Sequence, residues 1–390
     1  MVYDFILFEN WHLATNHHKD VGLIAYMLKE CGYTVAVADV YQNINKNFIE
    51  EVPCITIQHK ATLLEYPQSG LMSKWPFKKI IGAINQRKEA LHLKCVMNEI
   101  RGRYKHLYCG SYYVKMPIGW LRMIPDNSDA FFWGLRSARL VQYRKNIFDL
   151  AGVGSYCLRK YFDKHPNLKF FVSDQLICDE FLNLGVASNR LVVRPERFIE
   201  DYSVDKNGNE VVFSLLSIGS LRPEKRIEFI LESLCRLGGK DIRYTIAGAS
   251  KRGYERVIEE GIKKTSNGMV KRLNYRLSEN EFNELIDNAD FLVLCDKPQA
   301  SNVTNGTMNE ALLAGVPIIA PNYDPYKYFI EQYHVGVMFD PDKEGSLDAA
   351  IQKAKQLGKK AFVQPIHNYQ SLYLRKNVVK DFAESLKQVL

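Results

Sequence analysis

The chain has 390 residues, of which 46% are hydrophobic and 25% charged, with a formal net charge of +8. That apolar share excludes a disordered chain, and the length exceeds what one core normally organises, so two sizeable cores are expected. No apolar run reaches the roughly 18 residues of a membrane-spanning helix.

In chain order, the apolar run at 3–8 predicts a buried strand. It carries acids and lacks the basic start and cleavage site of a signal peptide, so a cytoplasmic location is expected. The polar stretch that follows contains His12, Asn16, His17 and His18 and ends at Asp20, the expected cap of a helix at 21–31. A loop after the first strand of a doubly wound domain faces the ligand side, which makes these four residues candidates for ligand contact. The histidines fit equally well as solvated surface groups. Further strands are predicted at 34–40, 53–58, 106–110, 130–133 and 169–172, with a long helix at 77–103. Apolar strands alternating with amphipathic helices are the pattern of parallel sheets covered on both faces. The polar segment 201–210 reads as a linker, and the alternation resumes beyond it up to a last helix at 378–390.

Eight cysteines, at positions 31, 54, 95, 109, 157, 178, 235 and 295, stand singly, without the paired spacing of a zinc or redox site. They read as reduced core thiols. Charge is uneven: residues 1–200 hold 26 Lys and Arg against 19 Asp and Glu, whereas residues 201–390 hold 26 against 25. The excess concentrates between Lys74 and Arg122, where 11 cations, among them Lys74, Lys78 and Lys79, face Glu89 and Glu99. Trp75, Phe77, Tyr104, Tyr112, Tyr113 and Trp120 are interleaved with them. Basic residues mixed with interfacial aromatics suit an anionic membrane surface, so a peripheral membrane location is expected. A solvated helix face with its aromatics in the core is the alternative. No nucleic-acid-binding motif accompanies the cluster, and no nucleic-acid partner is expected.

Most informative is the segment 300–319, where a polar loop containing Asn302, Asn305, Gly306 and Thr307 opens into a helix that stops at Gly315 before a buried strand. The first amides of such a helix lack intrahelical partners, and with the helix dipole behind them they favour a phosphate. Glu310, one turn further in, can accept hydrogen bonds from a ribose or sugar hydroxyl. Helix capping by the same Asn and Thr residues is the other reading. Upstream, a strand from Phe213 ends at Gly219-Ser220-Leu221-Arg222-Pro223-Glu224-Lys225-Arg226, a second ends at Gly248, and a helix and strand run from Ser278 to Leu294.

These four motifs, in this order over about residues 211–350, resemble the nucleotide-binding half of a GT-B fold glycosyltransferase of the retaining family 4, or group 1, type. Residues 171–194 are similar to the end of that family's N-terminal domain. The resemblance implies two Rossmann-like doubly wound α/β domains facing a central cleft: an acceptor domain at 1–200, a linker at 201–210, a nucleotide-sugar domain at 211–370, and a C-terminal helix at 371–390 packing back on the junction. It implies that Arg222 and Lys225 hold the donor diphosphate and that Glu310 bonds the donor. Gly219, Ser220, Gly248, Asn302, Asn305, Gly306 and Thr307 would line the donor site. A nucleotide-diphosphate sugar is then the donor substrate, a glycan or lipid-linked saccharide the acceptor, and neither a metal nor another cofactor is required.

Two departures from the family stand out. The first of two glutamates seven residues apart falls on Asn302, and a histidine expected beyond the fifth strand is absent from Phe131-Phe132-Trp133-Gly134-Leu135-Arg136-Ser137. Arg136 is the candidate there for the leaving group or the acceptor. The expected activity is transfer of a hexose, with retention, in bacterial surface polysaccharide assembly. A nucleotide-sugar 2-epimerase of the same fold and a catalytically inactive partner subunit are the alternatives.

Overall fold

The computed structural model describes residues 1–9, 17–39, 52–58, 77–110, 130–135, 165–194, 197–203, 212–238, 241–265, 270–298 and 305–390, with the backbone alone for some of them, including 17–20, 78 and 79. The chain divides into two compact units, Met1–Arg197 with Val378–Leu390, and Phe198–Asn377. Residues 201–203 of the expected linker fall in the second unit, and 204–210 lie outside the described residues.

In the first unit, strands β1 (Tyr3–Glu9), β2 (Val35–Asp39), β3 (Cys54–Thr56), β4 (Tyr104–Gly110), β5 (Phe131–Leu135), β6 (Leu168–Val172) and β7 (Leu191–Val193) form one sheet. Its order is β3-β2-β1-β4-β5-β6-β7 and every pairing is parallel. Phe5, Ile6, Leu7 and Phe8 are all fully buried, the mark of a strand covered on both faces rather than one. Helices α1 (His17–Glu30), α2 (Phe77–Ile100) and α3 (Gln175–Asn183) belong to this unit. Asp174 caps α3 by accepting the Ile177 amide at 2.9 Å, an interaction of about 1 kcal/mol.

Helix α1 starts at His17, four residues earlier than predicted. His17 and His18 therefore stand in its first turn and not on a loop, and Asp20 is inside the helix and not its cap. A capping residue such as Asp20 marks where a helix can begin but does not keep the polar residues before it out of the helix. The cysteines need a second correction. Cys109, Cys178 and Cys295 are buried, but Cys54 and Cys235 are exposed.

The second unit holds β8 (Phe213–Ile218), β9 (Ile242–Ala247), β10 (Val270–Leu273), β11 (Phe291–Val293), β12 (Ile318–Pro321) and β13 (Gly336–Phe339), in the order β10-β9-β8-β11-β12-β13 and again parallel. Its helices are α4 (Ile227–Leu237), α5 (Tyr254–Lys264), α6 (Glu279–Asp287), α7 (Gly306–Leu313), α8 (Tyr326–Tyr333), α9 (Ser346–Leu357) and α10 (Val363–Ser371). Ser278 and Glu281 close a capping box on α6.

The last helix, α11 (Arg375–Val389), buries Val378, Phe382, Leu386 and Val389, one stripe at helical spacing. From Val378 onward it belongs to the first unit, where the Phe382 ring meets Phe171 of β6 edge-on at 5.5 Å. Phe171 in turn packs on Phe132 at 4.7 Å, and Phe132 on Phe5 at 5.8 Å, so the helix completes an aromatic row across the sheet. Phe382→Ala is expected to destabilise the first unit by about 3–5 kcal/mol, read as a lower midpoint in urea unfolding.

Candidate functional site

In each sheet the strand that comes first in sequence is central, with later strands added on both sides. The order reverses between β1 and β4 and between β8 and β11. Ligands of open α/β sheets bind beyond the carboxyl ends of the strands at such a reversal, because the connections there diverge and leave a crevice. In the first unit the residues following β1 and β4, including His12 and Asn16, lie outside the described residues, as does Arg136. The second unit shows its reversal point in full except for 299–304, which include Asn302.

Beyond β8, Gly219 adopts φ +104°, and beyond β9 Gly248 adopts φ +124°. Both values lie in the region that side chains avoid. A Cβ on Gly248 would stand 2.0 Å from the Gly219 carbonyl oxygen, so no other residue permits these two backbones to approach as they do. Arg272 of β10 supports the bend from below, donating to the carbonyls of Ile246 at 3.1 Å and Gly248 at 3.0 Å and to Ser250 Oγ at 2.7 Å. Ser220 is exposed on the same loop.

Arg222 is extended and exposed, and Pro223–Lys225 form one 3-10 turn ahead of α4. Arg226 then takes a left-handed conformation, φ 48°, so that α4 begins without a side-chain cap of its own. Tyr254 takes that role: its hydroxyl accepts the Ile227 amide at 2.7 Å and donates to Glu228 Oε2 at 2.6 Å. The Lys225 ammonium folds back to the Ile218 carbonyl at 3.2 Å. Burial lowers the Lys225 pKa; the Asp296 carboxylate opposes that shift, and the Arg222 charge adds to it.

Helix α7 enters from the other side. Asn305 is its N-cap, with Oδ1 accepting the Met308 amide at 3.1 Å. No described residue accepts from the amides of Gly306 and Thr307. A Cβ on Gly219 would lie 3.4 Å from Thr307 Oγ1 and 3.7 Å from Lys225 Nζ, so the glycine leaves a small space edged by a hydroxyl, an ammonium and the start of a helix. Glu310 is half-buried one turn along α7.

The structure thus brings Gly219, Gly248, Lys225 and Thr307 together, with Asn305 and Gly306 at the same helix start. Asp296, Tyr326, Tyr254 and Arg272 were missed. Asp296 had a signal, a carboxylate just past the buried strand Phe291–Val293; the tyrosines and Arg272 act through contacts distant in sequence. Such a space can take an anion, with the Lys225 charge and the helix dipole both favouring it. A separate cavity of about 340 Å³ between α6 and the sheet, lined among others by Arg243, Lys271, Glu284 and Leu285, lies away from these residues. Among the described residues, no three His, Cys, Asp or Glu side chains are placed to share a metal ion.

The family model for glycosyl transferases group 1 matches residues 199–363. No curated protein sequence matches the chain. Among solved structures, HepE of Anabaena in complex with UDP superposes with a TM-score of 0.65 at 11% identity, over 99% of this chain and 98% of HepE. The lipopolysaccharide outer core galactosyltransferase WaaB gives 0.64 at 12% identity, over 99% of both chains. Sucrose-phosphate synthase of Thermosynechococcus elongatus gives 0.66 at 13%, again over 99% of both.

The lowered Lys225 pKa carries a sign that can be checked. The folded chain holds this proton less tightly than the unfolded one, so the charged lysine costs stability at neutral pH and the cost disappears as pH rises through the folded pKa. Anion binding has the opposite trend. Affinity for inorganic diphosphate, measured by calorimetry, should fall with rising pH before an ordinary lysine would lose its charge, and Lys225→Arg should remove that fall.

Proposed function

We propose that this chain, which has the GT-B fold and whose residues 199–363 match the family model for group 1 glycosyl transferases, moves a hexose from a nucleoside-diphosphate sugar to a glycan or lipid-linked acceptor. The observation that carries this reading is the convergence of Lys225 Nζ, Thr307 Oγ1 and the start of α7 on the space left by Gly219. Loss of a nucleoside diphosphate builds negative charge on the β-phosphate. Fixed donors aimed at that oxygen stabilise the transition state more than the ground state. Lys225 and the Gly306 and Thr307 amides supply them, and the exposed Arg222 adds a second cation. Glu310 accepts hydroxyls of the ribose or the transferred sugar.

HepE has been solved with UDP and with UDP-glucose, which makes UDP-sugars the first donors to test. Transfer with retention, on the face the phosphate leaves, needs no separate base, because the departing phosphate oxygen can take the acceptor proton. WaaB acts on the lipopolysaccharide outer core, and surface polysaccharide assembly is the setting we assign to this chain as well. With a UDP-sugar and an oligosaccharide or lipid-linked acceptor, Lys225→Ala and Arg222→Ala should each lower kcat by about 10² to 10³. Conversion of the donor at C2 without acceptor would establish an epimerase, and donor binding without turnover would establish an inactive partner subunit.

The acceptor side of this reading is a membrane surface. Among the described residues no helix is long and apolar enough to span a membrane. Helix α2 nevertheless exposes Ile80, Ile84 and Leu91, at 52%, 41% and 56%. At 100° per residue the three fall within about 40° of one another, a narrow apolar stripe within the basic region. Of the three lysines expected there, Lys74 lies outside the described residues, and Lys78 and Lys79 are in the first turn of α2. Such a face suits the headgroup layer of an anionic bilayer. Binding to vesicles should require anionic lipid, weaken as salt rises from about 0.05 to 0.5 M, and be lost when Lys74, Lys78 and Lys79 are replaced by glutamate, with donor binding unchanged.

A further inference from the structure

Asp296 stands just past the end of β11, at the reversal point, and takes part in a directed chain of hydrogen bonds. Its Oδ2 accepts the Tyr326 hydroxyl at 2.7 Å. That hydroxyl accepts Asn305 Nδ2 at 2.7 Å, and the same Nδ2 lies 3.5 Å from Asp296 Oδ2. Asn305 Oδ1, the other end of the amide, caps the Met308 amide at 3.1 Å.

The direction of this chain follows from what each group can do. A carboxylate only accepts, so the tyrosine must spend its single proton on Asp296 and turn a lone pair toward Asn305. Asn305 must then present Nδ2 to the tyrosine and Oδ1 to the helix. The reverse orientation would set its NH2 against the Met308 N–H, and the cap would be lost. With the cap in place, Met308 is satisfied inside the helix, and the Gly306 and Thr307 amides at its start have no acceptor among the described residues. The next residue, Lys297, donates its amide to the Glu224 carbonyl at 2.8 Å, which holds the Arg222–Lys225 turn against the same segment.

We propose that Asp296 is a positioning residue for the donor phosphate, acting through Tyr326 to fix the orientation of Asn305 and hence the exposed amides of α7. It rests on the reading of this site as a donor-diphosphate site. Asp296 itself need not touch the substrate.

The test is a double-mutant cycle on the full chain, with inorganic diphosphate and UDP as probes in calorimetry and the thermal midpoint as a check on folding. Asp296→Asn can turn either end to Tyr326, so the direction of the chain is lost, and diphosphate affinity should fall about tenfold, the scale of one misaligned helix cap. In an Asn305→Ser background the hydroxyl caps without needing Tyr326, and Asp296→Asn should then cost less than about threefold. Tyr326→Phe, which removes one hydroxyl, should show the same dependence on background and keeps the test available if Asp296→Asn does not fold. Equal losses in both backgrounds, or no loss in either, would overturn the role of Asp296 while native binding leaves the donor site standing. If the native chain binds neither diphosphate nor UDP, the donor site and the role of Asp296 both fail.

Discussion

The exits of β8 and β9 run closer together than any residue with a side chain would allow, and the position of the site depends on that approach. Gly248 meets the Gly219 carbonyl where a Cβ would be 2.0 Å away, at a left-handed φ that costs other residues about 1–3 kcal/mol. Around this contact the backbone is tied at each step: Gly219 N–H to Ala247 O at 3.0 Å, Leu221 N–H to Ala249 O at 3.0 Å, and Lys251 N–H to Leu221 O at 2.8 Å. Arg272 draws together the carbonyls beneath. A loop pinned in this way returns the chain to Arg222 at a fixed point, and the single turn Pro223–Lys225 then places the Lys225 ammonium beside Ile218 O. The glycine pair therefore does two things. It opens the space and it aims the cation into it.

In the site proposed for the donor, Lys225 shows a conflict between stability and function. Its ammonium has one carbonyl contact at 3.2 Å and a nearby carboxylate, yet burial still dominates its proton affinity. An ammonium has three donors to satisfy, so an anion can offer what the described residues do not. The same holds for the first amides of α7. Groups left incompletely satisfied in the free protein gain most when a phosphate arrives, and they gain more as its charge grows, which is the difference a transferase needs.

How much of this was legible in the sequence varied with how local each cause is. Gly219, Gly248 and the start of α7 were legible because a backbone bend or a helix end demands particular residue types at particular places. The helix at 279–287 was expected from the order of the motifs between 278 and 294, and Ser278 with Glu281 closes its capping box. Tyr254 as the cap of α4 was not legible, since it comes 27 residues after the amide it satisfies, from a different helix. Asp296 and Tyr326 are 30 apart and Asn305 lies between them, so their hydrogen bonds exist only once β11, α7 and α8 have been brought to one edge of the sheet. The start of α1 was misread for the opposite reason. A good capping residue, Asp20, marked a place where the helix could begin, but nothing in that local rule prevents it from beginning earlier.

Helix α7 also ties the site we propose for the donor to the chain segments that enter and leave the second unit. With eight residues, it has nearly all its backbone groups in its two terminal turns, where four amides and four carbonyls lack intrahelical partners. At the N-terminal end Asn305 satisfies one amide. At the C-terminal end the fully buried Gln370 of α10 donates to the carbonyls of Leu312 at 3.1 Å and Leu313 at 3.0 Å and, through the same nitrogen, to Ser203 Oγ at 2.7 Å. Ser203 belongs to the segment entering the unit, whose Ile199 forms a β-bridge with Leu374 and whose Glu200 pairs with Arg375. Helix α7 is thus held at one end by its own cap, Asn305, and at the other by Gln370, which ties it to Ser203 of the entering segment.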